Sequence, residues 1–169
     1  PYQYDNYTAA DMGLGWSLSL PWFGQNYFHL WDGQVYSYMW DGDAFENHEG
    51  TNFRLVNNSG ESYDLYPASG TDYHFDSSKK LVSITDTTGN NTIVIDYNAN
   101  GTVSGMTDTA GRTVSFLYNE NGRLSTLVTG SGDWTYGYEE QNLVSVTDPL
   151  GRVTQYEYET GSNDWLISR

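Results

Sequence analysis

Aromatic residues return at a fixed interval along the second half of the chain. Tyr97, Tyr118, Tyr138 and Tyr158 lie 21, 20 and 20 residues apart, and Phe75 stands 22 residues before the first of them. A period of this length makes each unit one supersecondary element that buries its apolar face only against its neighbours, so the period constrains the architecture before local propensity does. The surroundings repeat as well: Leu81 follows Phe75-Asp76, Val103 follows Tyr97-Asn98, Leu124 follows Tyr118-Asn119, and Leu143 follows Tyr138-Glu139. Asp86 with Gly89, Asp108 with Gly111, and Asp148 with Gly151 keep a matched offset, whereas the remaining unit has Gly132 but Thr129 in place of the acid.

Every second residue leading to a marker is mostly large or β-branched: Ile93, Ile95, Tyr97; Val114, Phe116, Tyr118; Trp134, Tyr136, Tyr138; Thr154, Tyr156, Tyr158. This alternation predicts strands with one apolar face. Ser115, Thr135, Gln155 and Glu157 fall on the wetter face, with Val94 and Leu117 as exceptions. Asn100-Gly101 and Asn121-Gly122 predict type I′ hairpin turns, which need positive φ at both central residues. The stretches 87–90, 109–112 and 148–152 supply the second turn of each unit. The resulting fold class is all-β, a twisted sheet of consecutive antiparallel hairpins.

The strings YNANGTVSGMTDTAGRTVSFLY from Tyr97, YNENGRLSTLV from Tyr118 and YEEQNLVSVTDPLGRVTQYEY from Tyr138 resemble the YD repeats of Rhs-type proteins, teneurins and the shell-forming components of Tc toxins. Gly13-Leu14-Gly15-Trp16-Ser17-Leu18 is similar to the G-x-G-W-S pattern that opens the repeat region in bacterial members. The resemblance implies a β-sheet that winds into a hollow shell, enclosing or presenting other parts of a polypeptide such as a toxin. It further implies an extracellular or cell-surface location and a non-enzymatic structural role. The markers carried by the repeats are Tyr97, Tyr118, Tyr138, Tyr158, Gly101, Gly122, Asp86, Asp108, Asp148, Gly89, Gly111 and Gly151. Four or five units are too few to close such a shell, so the partner implied is the remainder of a parent polypeptide. An opening Pro1-Tyr2-Gln3-Tyr4, without an initiator Met or a basic and then apolar run, reads as an internal piece of something longer.

The first 70 residues differ: nine aromatics from Trp16 to Trp40 crowd together between glycines. Strands are expected at 26–30 and 34–40 around Asp32-Gly33, at 52–56 and 62–66 around Asn58-Ser59-Gly60, and at 71–75. Residues 1–70 read as an aromatic-rich β cap and 71–169 as the YD-repeat sheet, in one continuous domain, because the outermost unit of a repeat array needs a cap. Trp16 is expected in the core. Trp22, Trp31 and Trp40 are the candidate binding aromatics, each able to present a flat face to a carbohydrate or a protein, although a thin sheet needs such residues for its own core.

Composition narrows the chemistry. The net charge of −15, with only 7 Lys and Arg, argues against nucleic acid, whose phosphates need clustered cations. Aromatics at 16% argue against disorder, and no cysteine is present for a disulfide, a thiolate metal site or a Cys nucleophile. No apolar run spans a bilayer. Asp41, Asp43 and Glu46 are too closely spaced for an EF-hand loop and read as a surface turn, with calcium the rival reading. His29, His48 and His74 lack zinc spacing. The chain has no G-x-S-x-G elbow and no phosphate-cradling Gly loop, and its scattered acids define no glycosidase pair. No catalytic residue, metal or cofactor is therefore assigned. The strand near Thr154 to Tyr158 is expected to leave an unpaired edge that pairs with another chain, unless the tail from Gly161 to Arg169 folds back over it.

Overall fold

The computed structural model describes residues 12–13, 16–23, 27–30, 35–37, 39–41, 44–46, 53–67, 70–158 and 166–168. Strands make up the regular structure there, with Met12 alone among the described residues carrying helical backbone. All assigned pairings are antiparallel. The residues group into two compact units, one of 19–96 with 106–112 and one of 1–18 with 97–105 and 113–169.

In the first unit, β1 (Trp22–Phe23), β2 (Tyr27–His29) and β3 (Val35–Ser37) form a small sheet. A meander follows in chain order: β4 (Met39–Asp41), β5 (Ala44–Glu46), β6 (Phe53–Asn57), β7 (Ser62–Pro67), β8 (Asp72–Asp76), β9 (Leu81–Thr85) and β10 (Thr92–Tyr97), whose last residue, Tyr97, falls in the second unit. Register explains the packing. Phe23 lies opposite Phe28, and Phe28 opposite Tyr36, so these three rings share one face of the small sheet. Phe23 meets Phe75 edge-on at 4.6 Å and Tyr63 at 5.9 Å, and Phe28 meets Phe53 at 4.8 Å. The small sheet thereby covers the apolar face of the meander, where Leu55, Leu65, Tyr73 and Phe75 are also buried. Each such side chain removed from water contributes about 1.5–3 kcal/mol.

In the second unit the meander runs through β12 (Thr113–Tyr118), β13 (Leu124–Thr129), β14 (Gly132–Glu139), β15 (Asn142–Thr147) and β16 (Val153–Gln155); β11 (Val103–Asp108) has its residues divided between the two units. Cross-strand rows confirm the alternation. Phe116, Leu127 and Trp134 are aligned across three strands, as are Tyr136, Val146 and Thr154, while Thr126, Thr135 and Thr147 align on the opposite face. Phe116 is buried and Trp134 is 37% exposed on the first face, and Leu117 is 50% exposed on the other.

The same irregularity recurs just before four aromatic residues: the register shifts at His74/Phe75, Leu117/Tyr118, Gly137/Tyr138 and Glu157/Tyr158. The shift is a β-bulge, two residues facing one. It sets Phe75 opposite Leu81, Tyr118 opposite Leu124 and Tyr138 opposite Leu143. All three leucines are buried to 2% exposure or less. The period in the sequence is therefore a recurring aromatic–leucine rung.

Turn geometry corrects one expectation. Gly101 and Gly122 have φ of 91° and 75°, but Asn100 and Asn121 are not among the positive-φ residues, so neither pair is a type I′ turn. The amide of Gly101 donates to the Asn98 carbonyl, and the amide of Asn98 to the Thr102 carbonyl; Gly122, Asn119 and Arg123 repeat the arrangement. This is a three-residue loop, a type I turn closed by a left-handed residue. The I′ geometry occurs instead at Ser59 and Gly60, with φ of 56° and 79° and the Glu61 amide donating a hydrogen bond to the Asn58 carbonyl.

The expected open edge is partly filled. β17 (Glu157–Tyr158) pairs with β18 (Leu166–Ser168), so the tail returns to cover Glu157 and Tyr158. Asp32-Gly33, Trp31, Asp43 and His48 lie outside the described residues.

Candidate functional site: the loops and hydroxyls that join the repeats

The loops are organised by one side chain each. Asp148 Oδ1 accepts the amides of Leu150 and Arg152 at 2.9 Å each, and its Oδ2 accepts Arg152 Nε at 2.5 Å. Asp108 receives Arg112 in the same way, from the amide at 2.9 Å and from Nε at 2.6 Å. Asp76 receives the amides of Ser78 and Lys80, and Asn119 those of Asn121 and Arg123. Asp and Asn serve here because a short side chain with an acceptor oxygen reaches amides two and four residues on. Gly89, Gly111 and Gly151 then take the left-handed position, with φ of 71°, 78° and 78°. Lys79 occupies the same place in the Asp76 loop at φ 64°.

Hydrogen bonding also sets the acidity of these groups. The carboxamide of Asn91, the Thr88 hydroxyl and nearby backbone amides hold the Asp86 carboxyl at about 2. The backbone amide and side chain of Arg112 lower Asp108. Burial pushes Asp148 up, but the amide and guanidinium of Arg152 outweigh it and leave the carboxyl lowered. All three pKa values lie below the unfolded value near 3.8. The unfolded chain therefore binds more protons in this range, and these groups stabilise the fold above about pH 4, a contribution lost as the pH falls toward about 2. Thermal melts across that window should show a falling midpoint, with a shallower fall for Asp86→Asn.

Thr129 stands in for the missing acid. Its Oγ1 accepts the Ser131 amide at 3.2 Å, closing a shorter loop. Gly132, the glycine retained in that unit, shares a positive φ, 123°, with the loop glycines and has a steric reason besides: a Cβ on it would lie 2.7 Å from Pro149 Cβ, whereas a Cβ on Gly89, Gly111, Gly122 or Gly151 meets nothing.

The marker tyrosines tie unit to unit. Tyr118 Oη donates to the Val103 carbonyl at 2.7 Å, Tyr138 Oη to Leu124 at 2.8 Å and Tyr158 Oη to Leu143 at 2.8 Å. Each acceptor belongs to a buried aliphatic residue, 5% exposed at Val103 and 1% at Leu124 and Leu143. A phenol therefore does two things at once, since its ring fills the apolar face and its hydroxyl satisfies a carbonyl one repeat back. Sequence reasoning found these tyrosines but not the bond; the signal was the constant offset of 14 or 15 residues from the aliphatic residue to the next marker. Tyr138→Phe should cost about 1 kcal/mol, read as a lower urea midpoint with an unchanged slope.

Trp16 was expected in the core and is half-buried. Its indole Nε1 donates to Tyr158 Oη at 2.8 Å, and its ring meets Tyr156 edge-on at 4.9 Å. Gly13, buried and at φ 90°, comes so near the turn after β14 that a Cβ would lie 2.5 Å from the Gln141 carbonyl oxygen. A contact between residues 142 positions apart leaves no trace in a 20-residue period.

Of the candidate binding aromatics, Trp22 is half-buried and stacks on His29 at 4.0 Å and 12°, with Tyr27 edge-on at 5.8 Å. Burial lowers the His29 pKa, which favours the neutral ring. Trp31 lies outside the described residues, and Trp40 is placed by its backbone alone, in β4. His74 Nδ1 lies 2.5 Å from Asp64 Oδ1, and Asn58 Nδ2 donates to Asp64 Oδ2 at 2.8 Å. Among the described residues no group of three His, Asp or Glu is placed to hold a metal, and no helix is long and apolar enough to cross a membrane.

No curated protein matches this chain. The family model described as RHS Repeat matches residues 97–133 and 138–163, the stretch whose loops and hydroxyl bonds recur. Residues 97–163 are therefore a run of YD/Rhs repeats.

Proposed function

We propose that this chain is a non-enzymatic structural segment of a large secreted or surface Rhs-type protein, contributing to a β-shell that encloses or presents other domains such as a toxin. The observation that carries this reading is the tyrosine–carbonyl bond made in three successive units, which lets the sheet grow by adding identical hairpins. Growth by repetition is what a wall requires. Division at residue 70 into a β cap and a repeat sheet is part of the same proposal. The experiment is protease protection in a parent polypeptide: sequences bracketed by the repeats should stay uncut while the sheet is intact and be cut once Leu143→Ala loosens it. Equal cleavage in both states contradicts the shell. Turnover of polysaccharide, peptide or nucleic acid that vanishes on changing one acid, His or Ser contradicts the non-enzymatic role.

A second reading, a carbohydrate- or protein-binding surface, is favoured by the Trp22, Tyr27 and His29 cluster on one small sheet. A glycan array in which Trp22→Ala abolishes binding is the result that supports it.

A further inference from the structure

In the second unit the marker hydroxyl of Tyr158 has two hydrogen-bond partners. Tyr158 Oη donates to the Leu143 carbonyl as its counterparts do, and it also accepts the indole N–H of Trp16. The indole, the phenol and the carbonyl thus form a chain of two hydrogen bonds in which every donor has an acceptor. Beside it, Gly13 fits against the Gln141 carbonyl, the Tyr138 ring and the Leu143 amide, at 2.5, 3.3 and 3.4 Å from where its Cβ would stand. The Trp16 amide bonds the Gly13 carbonyl at 3.3 Å, so the two residues belong to one short turn.

These contacts have the features of a binding seat. It requires glycine at one point for lack of space and for positive φ, and an aromatic N–H donor three residues on. We infer that the seat on the last repeat, formed by Tyr138, Gln141, Leu143, Tyr156 and Tyr158, is a separable recognition site for a Gly-x-x-Trp turn, filled here by Gly13 and Trp16 and able to take the same turn from a second copy of the chain. The argument for that occupant is identity. A second copy offers the same glycine and the same indole, so the exchanged contact repeats the internal one, and the balance between them depends on concentration. Ser17 to Pro21, which leads away from the turn, belongs to no strand.

Gly13→Val empties the seat, since the branched side chain meets the Gln141 oxygen and the residue must leave positive φ. A fluorescein-labelled peptide of residues 11–20 should then bind the full-length Gly13→Val chain saturably by anisotropy. It should bind the unmodified chain, whose seat is filled, at least about ten-fold more weakly, and a peptide carrying Gly13→Val should be weakened by a similar factor. In an equimolar mixture of Gly13→Val with a Tyr158→Phe chain, which keeps the turn but lacks the acceptor hydroxyl, native mass spectrometry should find heterodimer in excess of the two-fold ratio to each homodimer that random pairing gives. Where circular dichroism shows that Gly13→Val has lost its β signal, Trp16→Ala takes its place as the emptied chain. Absence of saturable binding to the emptied chain, equal binding of the two peptides, or no excess of heterodimer overturns the inference.

Discussion

Leu143→Ala is expected to lower the unfolding free energy by about 2–5 kcal/mol, the range for removing a large aliphatic side chain from a packed site. Leu143 is 1% exposed, lies opposite Tyr138 across the β-bulge, and offers its carbonyl to Tyr158, so its side chain and backbone each serve a different marker. The Gly13 turn also rests on its amide. The truncation removes the buried side chain that faces Tyr138 and leaves a void there. Leu150→Ala is the matched control: Leu150 is 80% exposed in the loop closed by Asp148 and should change stability by no more than about 0.5 kcal/mol. Urea unfolding of both variants checks the contrast, and similar midpoints contradict the role given to the leucine rung.

Gly101→Val and Gly122→Val are each expected to cost about 1–3 kcal/mol. At Gly122 a Cβ meets nothing within 4 Å, so the loss is conformational rather than steric. A β-branched residue resists the φ of 91° or 75° that closes these loops. Because the central Asn100 and Asn121 do not take positive φ, Asn100→Val should be milder than Gly101→Val, an order that a type I′ turn would not produce. Chemical denaturation of the paired variants separates the two geometries, and equal losses at both positions contradict the loop assigned here.

The repeats were legible because their cause is local. Alternation by twos needs only neighbouring residues, and the buried Leu81, Val103, Leu124 and Leu143 follow their markers at nearly constant distance. The turn type was not legible from Asn-Gly, which suits two geometries. What decides is the residue two positions before the asparagine, Asn98 or Asn119, whose amide and carbonyl close the loop. Gly132 keeps its place in the period, but the close approach of Pro149 to it has no counterpart in the sequence pattern. The seat for Gly13 and Trp16 lay furthest from view, because it joins the start of the chain to its last repeat. A hydroxyl bond such as Tyr138 to Leu124 is likewise silent in hydrophobic pattern, where tyrosine and phenylalanine count alike.

The central claim is that each unit is a hairpin keyed to its neighbour in one fixed register, and cross-strand proton contacts measured by NMR test it most directly. The account predicts contacts linking Phe116 to Leu127, Leu127 to Trp134, and Tyr136 to Val146, with the pairing slipped by one residue at Tyr118 and Tyr138. Contacts in an uninterrupted register past Tyr118 and Tyr138, or helical contacts between residues three and four apart, contradict it.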